Sequence, residues 1–418
     1  MMRIKLYIIS TGGVILDFDI DRESPFQPGI PVSPDKFSGR QETIKKILRY
    51  VNPAIKGQTQ HFFLTGKRRM GKTSVTDFVK DFVANEKGMI GVYVSNKGND
   101  SVETLATWII EALINELPQK SRLERIKEWF GDHIESIEIK GTKIKFKVDE
   151  ELSRSFKNYF PDYVSEIYDE FPKDKQNGIL IIIDDINGLS KSREFADWYK
   201  KLADTLAVSS HYELPVYFLL AGYPERFNAL VVHEESFGSI FNFDFIDHLS
   251  DEEVMDFFKE TFSQSEMEIS PEALEIMVAF SSGLPLMMQQ IGESVFWTCE
   301  TDCVSKQDAV DGVINAAYEI GSKQIKPVLN QIKSDRYEDI LQFLAENKMN
   351  NFKRSDVKDA LNISDNVLSN FLSKMVELGI LESTGHKHSG TYEFSNNLYY
   401  TYFWIKSFEK KQLNENAL

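Results

Sequence analysis

Between residues 61 and 83 the sequence passes from a short apolar run, His61-Phe62-Phe63-Leu64-Thr65, through the loop Gly66-Lys67-Arg68-Arg69-Met70-Gly71-Lys72-Thr73-Ser74 into a stretch with apolar residues at helical spacing. Strand, glycine-bounded loop and helix in that order point to a parallel α/β unit that wraps a phosphate at the amino end of the helix. Gly66 and Gly71 let the backbone fold so tightly that successive N–H groups can face phosphate oxygens. Lys67, Arg68, Arg69, Met70 and Ser74 complete the cradle. Lys72 brings a point charge to the β- and γ-phosphates, and the Thr73 hydroxyl is the expected Mg²⁺ ligand. The loop therefore predicts an ATP site that works with Mg²⁺.

Three further apolar runs, at 90–94, 179–183 and 216–221, carry few polar residues, as strands covered by helices on both faces do. With helical patterns between them, they predict a doubly wound parallel sheet of the P-loop NTPase class, its ligand lying beyond the carboxyl ends of the strands. The second run ends at that edge in Asp184-Asp185. Asp184 is expected to hold the Mg²⁺ hydration shell and Asp185 to sit beside an attacking water, so the expected catalytic set is Lys72, Asp184 and Asp185. Two readings stay open for Glu225 and Arg226, a nucleotide sensor or a surface turn. Arg68 and Arg69 either neutralise phosphate, face a neighbouring subunit or are simply solvated.

At 418 residues the chain is long enough for two or three domains. Residues 1–36 read as a hairpin, strands at 4–9 and 14–18 around Thr11-Gly12-Gly13, followed by a proline-rich lead-in. Residues 37–248 read as the nucleotide core, opened by a helix from Phe37 to about Val51. An inserted hairpin at about 134–148 turns at Lys140-Gly141-Thr142 and places Lys143, Lys145 and Lys147 on one face, either a DNA contact or a solvated strand face. Residues 249–333 read as an all-α lid in which strands stop, its third helix running over 286–301. Residues 334–418 read as a C-terminal winged helix with a two-stranded wing whose tip, 384–390, carries the solvated His386 and His388.

Composition narrows the function classes. A 42% hydrophobic share with 27% charged residues, and no apolar run near the ~20 residues of a bilayer span, exclude a membrane protein. The run at 6–9 is too short for a signal-peptide core. Cys299 and Cys303 are the only cysteines, four apart in a helical pattern, and give neither a disulfide framework nor a zinc site, so a reducing cytoplasm is expected. The net charge of -16 argues against general affinity for nucleic acid or anionic lipid and leaves only a local DNA contact open.

Taken together, these motifs resemble the archaeal-type P-loop ATPases of the AAA/STAND group. The segments Ser24-Pro25-Phe26-Gln27-Pro28-Gly29 and Phe37-Ser38-Gly39-Arg40-Gln41-Glu42 are similar to that family's opening motif, Lys67-Arg68-Arg69-Met70-Gly71-Lys72-Thr73-Ser74 to its phosphate loop, Ile183-Asp184-Asp185 to its acidic strand end, and Ser282-Gly283-Leu284-Pro285 to the Gly-x-Pro turn of its lid. The likeness covers residues 24–400. It implies that Phe37, Gly39 and Arg40 border the adenine pocket and that Pro285 packs near the base. It also implies ATP and Mg²⁺ as cofactors and a homo-oligomer among the partners. Two departures stand out: Ser239 stands where the family commonly carries an arginine that can serve a neighbouring active site, and the first 20 residues have no counterpart in the family; the acidic pair, normally Asp-Glu, is Asp184-Asp185 here. The expected activity is ATP hydrolysis, slow or partner-stimulated, driving a conformational switch. Two alternatives are a DNA-binding ATPase resembling origin-recognition or transposition regulators, and a nucleotide-dependent scaffold without turnover. The third winged-helix helix offers Asn366, Ser369, Asn370 and Ser373 for base reading but only one lysine, Lys374, so a protein contact there is equally open.

Overall fold

The computed structural model of the chain describes residues 6–9, 15–18, 22–30, 34, 37–173, 177–208, 214–332, 335–384 and 390–415. It divides into two compact units, one formed by Pro31–His248 and the other by Met1–Ile30 together with Leu249–Leu418. The N-terminal residues thus go with the helical half of the chain rather than standing apart or with the nucleotide core. Among the described residues, no helix is long and apolar enough to cross a membrane.

At the start of the chain, Leu6–Ile9 (β1) and Ile15–Phe18 (β2) pair antiparallel; the turn expected at Thr11-Gly12-Gly13 lies outside the described residues. In the α/β unit, Gln41–Leu48 (α1) and Val51–Ile55 (α2) precede Gln60–Gly66 (β3) and Lys72–Lys87 (α3). One helix was expected from Phe37 to about Val51; instead Arg40 adopts a left-handed backbone at the amino end of α1, and the chain breaks into two helices at Arg49-Tyr50. Ile90–Ser95 (β4), Val102–Glu116 (α4) and Gln119–Phe130 (α5) lead to the hairpin Ile134–Lys140 (β5) and Lys143–Val148 (β6). Glu150–Asn158 (α6) and Phe160–Asp169 (α7) return the chain to Ile179–Asp184 (β7). Arg193–Val208 (α8), Val216–Gly222 (β8), Pro224–His233 (α9), Phe237–Ile240 (α10) and Asn242–Ile246 (β9) complete the unit.

The central sheet has the order β4-β7-β8-β3-β9, and every neighbouring pair is parallel. β7 and β8 are buried along their whole length, which is why they consist of apolar runs with no alternation. β9 was not anticipated. As an edge strand it alternates, Phe243 and Phe245 exposed and Asp244 and Ile246 buried, and the interior Asp hides it from a search for apolar runs. Asp244 is held by the Thr43 hydroxyl at 2.8 Å and Lys46 Nζ at 2.5 Å, which pins the edge to α1.

The inserted hairpin turns where expected. Its β6 strand is docked on α4 by side chains that imitate a neighbouring strand: Asn115 both donates to the Ile144 carbonyl and accepts from its N–H, and Glu111 accepts from Phe146 N–H. Lys143, Lys145 and Lys147 are exposed while Ile144 and Phe146 are buried. Lys147 pairs with Glu135, and Lys145 stands opposite Glu138 in the register, so acids on β5 offset the lysine row and favour the solvated-face reading over a DNA contact.

In the helical unit, Asp251–Ser263 (α11) starts from a capping box of Ser250 and Glu253. Glu268–Ile269 (β10), Pro271–Ser281 (α12), Pro285–Thr298 (α13), Cys303–Val304 (β11) and Lys306–Ile320 (α14) follow, and a π turn at Gly321–Ile325 carries α14 into Lys326–Ile332 (α15). Two expectations are corrected here. Strands do not stop at Leu249, because β10 and β11 form a short parallel pair. Cys299 and Cys303 do not share a helix: α13 ends at Thr298, Cys299 caps it, and Cys303 lies in β11. Asp335–Glu346 (α16), Asn351–Lys353 (β12), Arg354–Leu361 (α17), Asp365–Glu377 (α18), Leu381–Thr384 (β13), Thr391–Phe394 (β14) and Asn397–Glu415 (α19) form the last part. Its sheet has three antiparallel strands, β12-β14-β13, rather than the expected two, since Asn351-Phe352-Lys353 is too short to stand out in the sequence. The tip with His386 and His388 lies outside the described residues.

Residues 22–30 lie along α13. Arg22 donates to the Phe296 and Cys299 carbonyls, Ser24 bonds Glu293, and the Gln27 N–H donates to Gln289 Oε1 at 2.7 Å. The buried Phe26 ring sits edge-on to Phe257 and Phe262 and fills the notch left by Gly292.

Gly292→Ala would place a Cβ inside the Phe26 ring, and we expect a loss of ~1–3 kcal/mol, read by denaturant unfolding. A second expectation concerns His61, stacked on Phe218 and 2.8 Å from the Tyr199 hydroxyl, whose pKa burial pushes down to about 4. The unfolded chain takes up this proton near pH 6.5 and the folded chain only near 4, so the imidazole contributes stability that is lost as pH falls through that window, ~3 kcal/mol in full. His61→Phe should flatten that part of the stability-against-pH curve measured by chemical denaturation.

Candidate nucleotide site

The end of β3 sets the position of the phosphate loop. Gly66 pairs with Ile246 of β9 so closely that a Cβ would stand 2.5 Å from the Ile246 carbonyl oxygen. Gly71, with φ 84°, turns the chain into α3, whose sixteen residues aim the positive end of their dipole at the loop. Lys67, Arg68 and Arg69 are exposed and Met70 is buried; Arg69 also takes a left-handed backbone, φ 70°. Ser74 is half-buried on α3.

Lys72 Nζ donates to the Gly66 carbonyl at 2.6 Å and the Lys67 carbonyl at 2.8 Å and lies 4.8 Å from the centre of the Tyr223 ring. Burial pushes its pKa down to about 8, against the carboxylates of Asp184, Asp185 and Glu225, which favour the ammonium. The Thr73 hydroxyl donates to Asp184 Oδ2 at 2.7 Å. The two phosphate-site motifs, 111 residues apart in sequence, are therefore joined directly.

Asp184 is buried at the carboxyl end of β7. Besides Thr73, the Tyr93 hydroxyl donates to Oδ2 at 2.7 Å and the Asp185 N–H to Oδ1 at 2.9 Å. Burial first, and then the Asp184 charge, raise the Tyr93 pKa, so its hydroxyl stays a donor. Asp185 has φ 58°, and its carboxylate accepts from the Asn187 amide, whose oxygen in turn accepts from Tyr223 N–H at 3.1 Å. Tyr93, Asn187 and Tyr223 were not singled out in the sequence. Tyr93 is visible only through the β4–β7 register, which places Ser95 opposite Asp184 and Tyr93 two residues earlier.

Of the residues expected at the adenine pocket, Phe37 stacks on Phe78 of α3 with ring centres 4.9 Å apart, and Gly39 has φ 82°. Arg40 is buried and donates to the Met70 carbonyl at 3.3 Å, bracing the loop from α1. Pro285 is the first residue of α13 in the helical unit, after Ser282 and Gly283, both of positive φ. Glu225 and Arg226 are exposed at the start of α9, Glu225 within electrostatic reach of Lys72. The Ser239 hydroxyl donates to the Ser236 carbonyl within its own short helix.

These residues fit ATP and Mg²⁺. A hydroxyl and a carboxylate, both hard oxygen donors, meet beside the ammonium of Lys72, and the loop is closed so tightly at Gly66 that only glycine is accommodated. Among the described residues there is no group of three or more His, Cys, Asp or Glu side chains that would hold a metal by themselves.

No family pattern and no curated protein matches the sequence. Solved structures do match the fold. The Walker-type ATPase PABY2304 of Pyrococcus abyssi is 16% identical, with 91% of this chain covering 99% of that one at a TM-score of 0.54. The ORC2 protein of Aeropyrum pernix, solved as ADPNP–ADP complexes, is 14% identical, with 89% covering 93% at a TM-score of 0.54. The ORC1 protein of the same organism in complex with DNA is 13% identical, with 91% covering 95% at a TM-score of 0.48. At these identities the likeness establishes the fold alone: a P-loop NTPase α/β sheet followed by a helical C-terminal region.

Gly66→Ala should lose nucleotide affinity at least tenfold in a fluorescent-nucleotide titration and lower the melting temperature, because the added carbon meets the Ile246 backbone oxygen as well as its side chain, and the backbone cannot step aside as a side chain can.

Proposed function

We propose that this chain, which has the fold of the archaeal Walker-type ATPases, is an ATP-binding and hydrolysing regulatory ATPase of the AAA/STAND type, a switch driven by its nucleotide. The observation that carries the reading is the junction of Thr73, Asp184 and Lys72 at one sheet edge, built from two separate motifs. Mg²⁺, when bound with the nucleotide, supplies charge neutralisation at the phosphates. Thr73 and Asp184 are the residues that would hold it. Lys72 exchanges the carbonyls of Gly66 and Lys67 for phosphate oxygens, and the amino end of α3 stabilises the same negative charge.

Asp185 is the candidate base that takes a proton from water. Its carboxylate is engaged by Asn187 and is one methylene shorter than Glu, and Ser239 brings no guanidinium to a neighbouring site. These features support slow or partner-stimulated turnover. Three helices, α16, α17 and α18, combined with a three-stranded antiparallel sheet whose first strand follows α16 and whose other two follow α18, support a winged-helix reading of the C-terminal part. The ion pairs of α18 favour a protein contact there over DNA: Arg354 and Lys358 pair with Asp365, and Lys374 with Glu377. From Asp335 on there are 10 basic and 12 acidic residues, a poor match for a phosphate backbone.

Lys72→Ala should weaken ATP binding, and Asp184→Asn, which keeps an oxygen to accept from Thr73 and Tyr93, should lower turnover by ~100-fold or more with the fold unchanged, as read by phosphate release and circular dichroism. Tight ATP binding by wild type with no phosphate release would instead select the scaffold reading. Duplex binding at low salt that is lost on Lys374→Ala would restore the DNA reading. Light scattering with and without ATP reports whether a homo-oligomer forms.

A further inference from the structure

Tyr93 lies on β4, the edge strand opposite β9, where it lines a surface cavity of about 450 Å³ with Asp77, Lys80, Trp108 and Glu111. Packing at that position needs only a ring. The hydroxyl does something else: it reaches across to Asp184 Oδ2, 2.7 Å away.

A carboxylate oxygen has two lone pairs in its plane. On Asp184, Oδ2 accepts from both Thr73 and Tyr93 and is saturated, whereas Oδ1, among the described residues, accepts the Asp185 N–H alone and keeps one lone pair. We infer that Tyr93 is a positioning and specificity-determining residue of the cation site: by occupying the second lone pair of Oδ2, it keeps Asp184 from ligating a cation through both carboxylate oxygens and leaves only Oδ1 to face the cation or its water shell.

Such a site suits a cation that sheds water reluctantly and disfavours one that takes several carboxylate oxygens. Tyr93 therefore biases the site towards Mg²⁺ and against Ca²⁺. The inference rests on the ATP–Mg²⁺ reading of the same loop and deepens it.

The test is calorimetric titration of Mg²⁺ and of Ca²⁺ into the full-length protein saturated with ADP, for wild type and Tyr93→Phe, a variant that keeps the ring in the cavity wall. Removing the hydroxyl opens a lone pair on Oδ2, so Ca²⁺ affinity should rise relative to Mg²⁺ and the Mg²⁺-to-Ca²⁺ affinity ratio should fall about fivefold or more. ADP affinity in chelator should stay close to wild type, while the melting temperature falls modestly because the buried Asp184 carboxylate loses one donor. An unchanged ratio, or an equal loss of both affinities, in a variant whose wild-type parent binds Mg²⁺ overturns the role of Tyr93 alone. A wild-type protein in which neither cation binds with ADP overturns the Tyr93 inference and the ATP–Mg²⁺ reading together.

Discussion

A buried carboxylate is costly unless donors surround it, and Asp184 recruits them from three places: Thr73 at the start of α3, Tyr93 on β4, and the N–H of the next residue. This one group fixes the relation of β4, β7 and the phosphate loop. If β4 slipped by one residue against β7, Tyr93 would turn to the opposite face and the carboxylate would lose a donor, so sheet register and site chemistry are a single constraint. Gly66 plays the matching part on the other side of β3, where contact with the Ile246 carbonyl ties the loop to β9.

What the sequence made legible was what depends on local pattern. The apolar runs of β3, β4, β7 and β8, the glycines of the loop and the acids at the end of β7 each mark themselves within a few residues. The parts missed depend on long-range neighbours or weak local signals. β9 has an acid in its middle whose partners, Thr43 and Lys46, come from α1, about 200 residues earlier. Arg40 was expected beside the base, but its contact with the Met70 carbonyl and its left-handed backbone could be read only once α1 and the loop were folded against each other. Tyr93 and Asn187 carry no motif; strand order alone brings them to the acidic pair. Cys299 and Cys303 had helical spacing, but the helix ended one residue before the first of them.

Charge in this chain is spent mainly on itself. The lysines of the hairpin stand against Glu135 and Glu138, and the basic side chains beside α18 pair with the acids that α18 itself carries. Cations already satisfied in this way offer little to an external polyanion. Lys72 is different: its partners are neutral carbonyls of the loop, and exchanging them for phosphate oxygens gains charge attraction without breaking an ion pair.

The strap of residues 22–30 on α13 bears on the order in which the chain assembles. Its hydrogen bonds join residues 262 to 277 positions apart, across the whole α/β unit. During synthesis the strap leaves the ribosome before the α/β unit, yet Gly292, Gln289 and the Phe296 carbonyl that receive it are made only after that unit has been completed. A segment translated before the α/β unit is thus among the last to reach its native place, and the helical half closes on a piece of chain that has waited through the folding of the other.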